Sequence, residues 1–192
     1  MDVPTSTVMQ EFHEAESFKN EVDKPLQNFP SACHYIHSWE KTELLPEQLE
    51  KMDIYVNTRI KDTGPDGTLS IFRELGTTNI GQIAKNLDYL KSLNEPSIKI
   101  WLSHITPNME KLILSKECPS ILIIKPALLN YGNLPDGNRR VIAALDLANK
   151  GYMGISLTAY VGKIDRVFWV VWNSGVYIHR SNISEKEKRT LV

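Results

Sequence analysis

Several features that would point straight to a function are scarce in this sequence. Only two cysteines occur in 192 residues, Cys33 and Cys118, and neither belongs to a CxxC pair. That excludes a disulfide framework and reads as two reduced thiols in a cytosolic protein. Long apolar runs are missing: the longest, Ile121 to Ile124 and Val167 to Trp172, fall far short of the roughly 20 residues that cross a bilayer. Residues Met1 to Asn20 lack an apolar stretch and carry Glu11, Glu14 and Glu16, so no secretory signal is expected. The chain is therefore expected to be cytoplasmic, with no membrane partner. An excess of one charge is missing too. With 22 basic and 23 acidic residues the formal net charge is -1, so a nucleic-acid surface would have to be a local patch. His34 and His37 lie near Cys33, but no second cluster completes a zinc site, and no protein metal site is assigned.

What is present is the composition of a soluble globular protein, 42% hydrophobic and 23% charged, at a length that suits one domain with an appendage or two small ones. The first forty or so residues are polar and loosely patterned, with a short helix expected over Thr7 to Asn20. Leu45-Pro46-Glu47-Gln48-Leu49 reads as a helix start with proline in the first turn. Ile54 to Ile60 suits a strand, and Asp62 to Gly67 an exposed turn. Ile80, Ile83, Ala84, Leu87 and Leu90 share one face of a helix from Asn79 to Leu93, and Asn94-Glu95-Pro96 ends it.

Beyond that point strands and helices are expected to alternate. Ile98 to Leu102 is read as a strand, and Pro107 to Ser115 as a short helix with Met109, Leu112 and Ile113 on one side. Ser120 to Ile124 is a continuous apolar run suited to a strand buried on both faces. A loop from Lys125 to Pro135 follows. The next helix spans Asn138 to Lys150, with Val141, Ala144, Leu145 and Ala148 as its apolar stripe and Gly151 as its stop. Ile155 to Val161 and Val167 to Trp172 are further strands, the second leading through Asn173-Ser174-Gly175 into Val176 to His179. The resulting division is an N-terminal helical cap or lobe over 1–95, a phosphate-binding domain over 96–180, and a charged tail over 181–192.

The run Asp136-Gly137-Asn138-Arg139-Arg140, between a buried strand and an amphipathic helix, carries the chemistry. Gly137 lets the backbone turn tightly and approach a ligand. The helix beginning there presents backbone N–H groups and a positive dipole end to an anion, and Asp136 or Asn138 is suited to cap it. Arg139 and Arg140 oppose the dipole in the first turn. A phosphate between them would make sense of both, since guanidinium forks pair with its oxygens. The plain alternative is an Asp-Gly turn with two solvated arginines. Lys125, after the buried strand, either reaches the same pocket or lies in solvent. Asn130 and Asn133 are suited to contact a base or sugar, or serve as loop polarity. Trp169 and Trp172 fall on opposite faces of one strand. Glu47, Glu50, Asp53 and Asp66 are possible general bases, and nothing in the sequence selects among them.

From about Lys99 to Val171, the order and spacing of these elements resemble the ParB/sulfiredoxin superfamily. The turn is similar to the Gly-Gly-Cys-His-Arg of sulfiredoxins, the Asp-Gly-His-His-Arg of free-serine kinases and the Gly-Glu-Arg-Arg of ParB partition proteins. The resemblance implies an α/β or α+β fold, a small mixed sheet with packed helices and an N-terminal helical extension. It also implies that Gly137, Arg139 and Arg140 hold nucleotide phosphates, with ATP and accompanying Mg²⁺ as ligand and cofactor; Asn138 and Lys125 are added as phosphate-binding candidates from their places in the turn and after the strand. Asp136 and Asn138 would be the catalytic candidates. Asn138 stands where sulfiredoxins keep the reactive cysteine, which excludes that repair chemistry, and where ParB turns carry glutamate. The expected function is ATP binding with phosphate hydrolysis or phosphoryl transfer, with nuclease activity as a further possibility by analogy with plasmid-borne Osa-type conjugation inhibitors. A non-catalytic DNA- or protein-binding regulatory module is the alternative, and a fold without a phosphate ligand is a third.

Overall fold

The computed structural model describes residues 2–17, 36–54, 67–114, 120–126 and 132–165. Its centre is a six-stranded sheet in the order β1-β2-β6-β4-β5-β3. The strands are β1 (Asp2–Val3), β2 (Ile36–Leu44), β3 (Asp53–Ile54), β4 (Ile121–Pro126), β5 (Asn133–Asp136) and β6 (Leu157–Ile164). The pairs β4–β6 and β3–β5 are parallel, whereas β1–β2, β2–β6 and β4–β5 are antiparallel. Eight helices accompany it among the described residues: α1 (Thr5–Ser17), α2 (Pro46–Leu49), α3 (Gly67–Leu75), α4 (Ile80–Lys85), α5 (Leu87–Ser92), α6 (Pro96–Ser103), α7 (Ile105–Leu114) and α8 (Asn138–Asn149). The molecule is of the mixed α+β class expected from the sequence.

Strand geometry sends successive side chains to opposite faces, and both faces of β4 are covered. Ile121 and Ile123 join Ala159 and Val161 in a large core with α8 and the helices of the N-terminal half. Leu122 and Ile124 join Ile36, Trp39, Tyr160 and Ile164 in a smaller core under Val8 of α1. That double coverage is why the β4 sequence is apolar without alternation. Helix α8 is enclosed as well. Residues Arg140 to Leu147 are all buried, well beyond the expected four-residue stripe, because α2, α4 and α7 pack around the helix and a helix surrounded in this way is apolar on most sides.

Three sequence expectations are corrected here. Residues Ile98 to Leu102 are not a strand but part of α6: Glu95 accepts from the Ile98 N–H at 2.7 Å, and Pro96 opens the first turn. Ile98 and Trp101 are buried while Ile100 is exposed, a three-residue spacing that belongs to a helix. The long helix from Asn79 to Leu93 is two short ones, divided at Asn86. The loop before the turn contains a short strand, β5, paired with β4 on one side and β3 on the other. The N-terminal part also contributes β1, β2 and β3, half of the sheet. The expectations for Val167 to Trp172, the Asn173 turn, Val176 to His179 and the tail lie outside the described residues, as do those for Cys33, His34, Cys118, Asn130 and Asp66.

Candidate functional site

β5 delivers the chain to Asp136, and Gly137 follows with φ 93° as the residue that caps α8. That left-handed backbone favours glycine. A second constraint acts at the same atom: a Cβ on Gly137 would meet Ile121 Cγ2 at 2.5 Å. The glycine is thus required by the close approach of the turn to β4 as much as by its own torsion. As the N-cap residue, Gly137 has no side chain with which to cap α8. Its first ladder bond runs from the Val141 N–H to the Gly137 carbonyl at 2.9 Å, so the amides of Asn138, Arg139 and Arg140 precede any helical acceptor. The positive end of the helix dipole emerges at this point.

The two arginines part company. Arg140 is buried and turns back on its own helix, donating from Nη2 to Asp136 Oδ2 at 2.5 Å and from Nη1 to the Ser120 carbonyl at 2.8 Å. An arginine here opposes the dipole, but the carboxylate four residues earlier, at the mouth of the same helix, offsets that cost. The Asp136 carboxylate is engaged by Arg140 through Oδ2. Arg139 is half-buried. Asn138 is also half-buried, and its Oδ1 is enclosed with no hydrogen-bond partner among the described residues. A buried acceptor left that way costs about 1–3 kcal/mol.

Lys125 is not brought to this turn. It lies on β4 four residues beyond Ile121, about 13 Å along the strand, opposite Lys163 of β6 and beside Gly132. Asn133 is buried on β5 opposite Asp53, and Asp53 accepts from the Thr78 hydroxyl at 2.9 Å. Glu47 is exposed on α2 and Glu50 pairs loosely with Lys85 at 4.0 Å.

A second cluster adjoins the turn from the other face of the sheet. Glu11 of α1 accepts from the Ser120 hydroxyl at 2.7 Å and from the Tyr160 hydroxyl, and lies 3.6 Å from Lys41 Nζ. Lys41 sits 5.0 Å over the Tyr160 ring. Partial burial disfavours the Glu11 charge, but the bonds from Tyr160 and Ser120 and the nearby Lys41 outweigh it and hold the carboxyl below its ordinary value. Tyr160 is pushed up by burial and by its bond to Glu11. The Lys41 ammonium is held above its usual range by its interaction with Tyr160 and the Glu11 charge, against partial burial. Sequence reasoning missed Glu11, Ser120, Lys41 and Tyr160 as a group. Glu11 and Ser120 are 109 positions apart, and no local pattern joins them.

Among the described residues, no three His, Cys, Asp or Glu side chains gather as a metal site, and no helix is long and apolar enough to cross a membrane. The chain matches no protein-family model, no curated protein and no solved structure.

Proposed function

We propose that the start of α8 binds the phosphates of a nucleotide, ATP in the first instance, in the manner of the ParB/sulfiredoxin turn. The observation that carries this reading is a twelve-residue helix that opens at a left-handed glycine with no side-chain cap. Its first-turn amides and dipole suit an anion, and Arg139, half-buried, belongs to the same turn. Asn138 Oδ1, enclosed and without a donor, suits a ligand hydroxyl or a metal-bound water. The succession of β4, the Gly137 turn, α8 and β6 follows the order expected from the resemblance, whereas the opening strand expected at Ile98 to Leu102 is helix α6.

Within this reading Arg140 and Lys125 lose the direct phosphate contact expected of them. Arg140 braces the turn through Asp136, and Lys125 lies at the far end of β4. Asp136 loses the free carboxylate that a general base or metal ligand would need, because Arg140 holds it. Mg²⁺ usually keeps several waters and is bound through substrate phosphates, so the ion expected with ATP is carried by the phosphates. Phosphoryl transfer is mostly positioning and charge neutralisation, which Asn138 and Arg139 can contribute. The engagement of Asp136 also favours a second reading, in which the turn binds nucleotide without turnover as a regulatory module.

One titration series tests both. The full chain is titrated with ATP, CTP and short duplex DNA in the presence of Mg²⁺, followed by tryptophan fluorescence, and released phosphate is then assayed. Saturable ATP binding supports the phosphate reading; phosphate release selects turnover, and its absence the regulatory module. Binding of duplex DNA alone, or of nothing, overturns the reading.

A further inference from the structure

Glu11 and Arg140 approach from opposite faces of the sheet, yet both hold the same residue. Ser120 donates its hydroxyl to Glu11 Oε1 at 2.7 Å and accepts at its carbonyl from Arg140 Nη1 at 2.8 Å. It stands just before Ile121, the first paired residue of β4, so these two contacts orient it. Glu11 is fixed in turn by the Tyr160 hydroxyl and by Lys41, while Arg140 grips Asp136 at 2.5 Å, the residue that leads into Gly137. Hydrogen bonds thus run unbroken from α1, through the start of β4, to the turn that opens α8.

We infer that Glu11 is a positioning residue for that turn. Docking of α1 through Glu11 fixes Ser120, Ser120 fixes the second fork of Arg140, and the doubly held guanidinium keeps Asp136 and Gly137 in place. α1 therefore acts as an element whose seating sets how well ordered the α8 turn is. A partner or modification that lifts α1 from the sheet loosens the turn without touching it. The consequence for ligand affinity rests on the phosphate reading above, whereas the mechanical link does not.

The test uses the full chain without ligand and reads amide hydrogen exchange at Val141, the first amide of α8 bonded to a helical acceptor, and at the amides that follow it, with α6 as internal reference. Glu11→Ala is expected to speed exchange in the turn roughly tenfold, the worth of one hydrogen bond to a charged group, while α6 exchanges at its parent rate. Glu11→Gln restores the slow rate, because its amide oxygen still accepts from Ser120. Ser120→Ala matches Glu11→Ala, and the double variant is no faster than either. Lys41→Ala, which spares the Ser120 bond, leaves the turn near its parent rate. Parent-like exchange at Val141 and the following amides in Glu11→Ala, additive effects of Glu11→Ala and Ser120→Ala, or no rescue by glutamine overturns the inference. In a parallel ATP titration the same variants weaken binding in the same order. An absence of ATP binding by the parent removes the phosphate reading, and the exchange rates still decide the coupling.

Discussion

The Arg140 guanidinium donates to the Asp136 carboxylate at 2.5 Å across the first turn of α8, with both side chains about nine-tenths buried. A pair in this setting is costly to break from one side, because the remaining charge stays enclosed. Arg140→Ala and Asp136→Ala are each expected to destabilise the fold by about 3–5 kcal/mol. The double variant should cost less than the sum, since neither charge is then left alone. Urea unfolding of the two single variants and the double measures this. Strictly additive losses would show that the pair does not act as a unit.

Gly137 is constrained twice, by its left-handed torsion and by Ile121 at 2.5 Å from where a Cβ would stand. Gly137→Ala therefore combines backbone strain with overpacking, each of the order of 1–3 kcal/mol. A lowered thermal midpoint is expected, together with loss of whatever the α8 turn binds. By contrast, Gly151, also at positive φ but with open space around it, should meet only the torsional part when changed to alanine. Equal losses at the two positions in a thermal melt would refute the packing argument.

Acidification should release α1. The Glu11 carboxyl is held below its ordinary value of 4.5 in the folded chain, so its contribution is fully present above that pH and is lost as pH falls through the lowered value. Lys41 behaves in the opposite sense. Its raised value means a contribution present below about 10.5 and lost as pH climbs past the folded value. Protection of the α1 amides, taken relative to the intrinsic exchange rate at each pH, is expected to fall below about pH 4.5 in the parent, and Glu11→Gln should flatten that acid limb. An acid limb unchanged in Glu11→Gln would assign the titration to other groups.

The sequence made the middle of this fold legible where the local signal and the tertiary environment agree. The four apolar residues Ile121 to Ile124 are the first four of β4, and the expected helix from Asn138 to Lys150 is α8 to within one residue. Ile155 to Val161 anticipates β6, displaced by two or three residues. β2 was not legible, although it pairs with β6 over most of its length. Its sequence, Ile36-His37-Ser38-Trp39-Glu40-Lys41-Thr42-Glu43-Leu44, carries few apolar residues because Lys41 lies over Tyr160 and the acidic residues bond at the surface. The misreading of Ile98 to Leu102 had a visible remedy in Glu95-Pro96, a cap and first-turn proline that open α6 as readily as they end the helix before it. At the site, the sequence places Asp136, Gly137 and Asn138 correctly at the strand-to-helix turn. It could not divide the work between two adjacent arginines, because only the position of Ser120 shows which of them is drawn inward.

The central claim is that the uncapped start of α8 holds phosphate with Arg139 and without direct contact from Arg140. Calorimetric titration of ATP with Mg²⁺ into the parent, Arg139→Ala and Lys125→Ala tests it most directly. The account predicts saturable binding by the parent, a loss of about tenfold or more in Arg139→Ala with its fold intact, and parent-like binding in Lys125→Ala. Equal affinity in Arg139→Ala and parent, or a loss confined to Lys125→Ala, would contradict it.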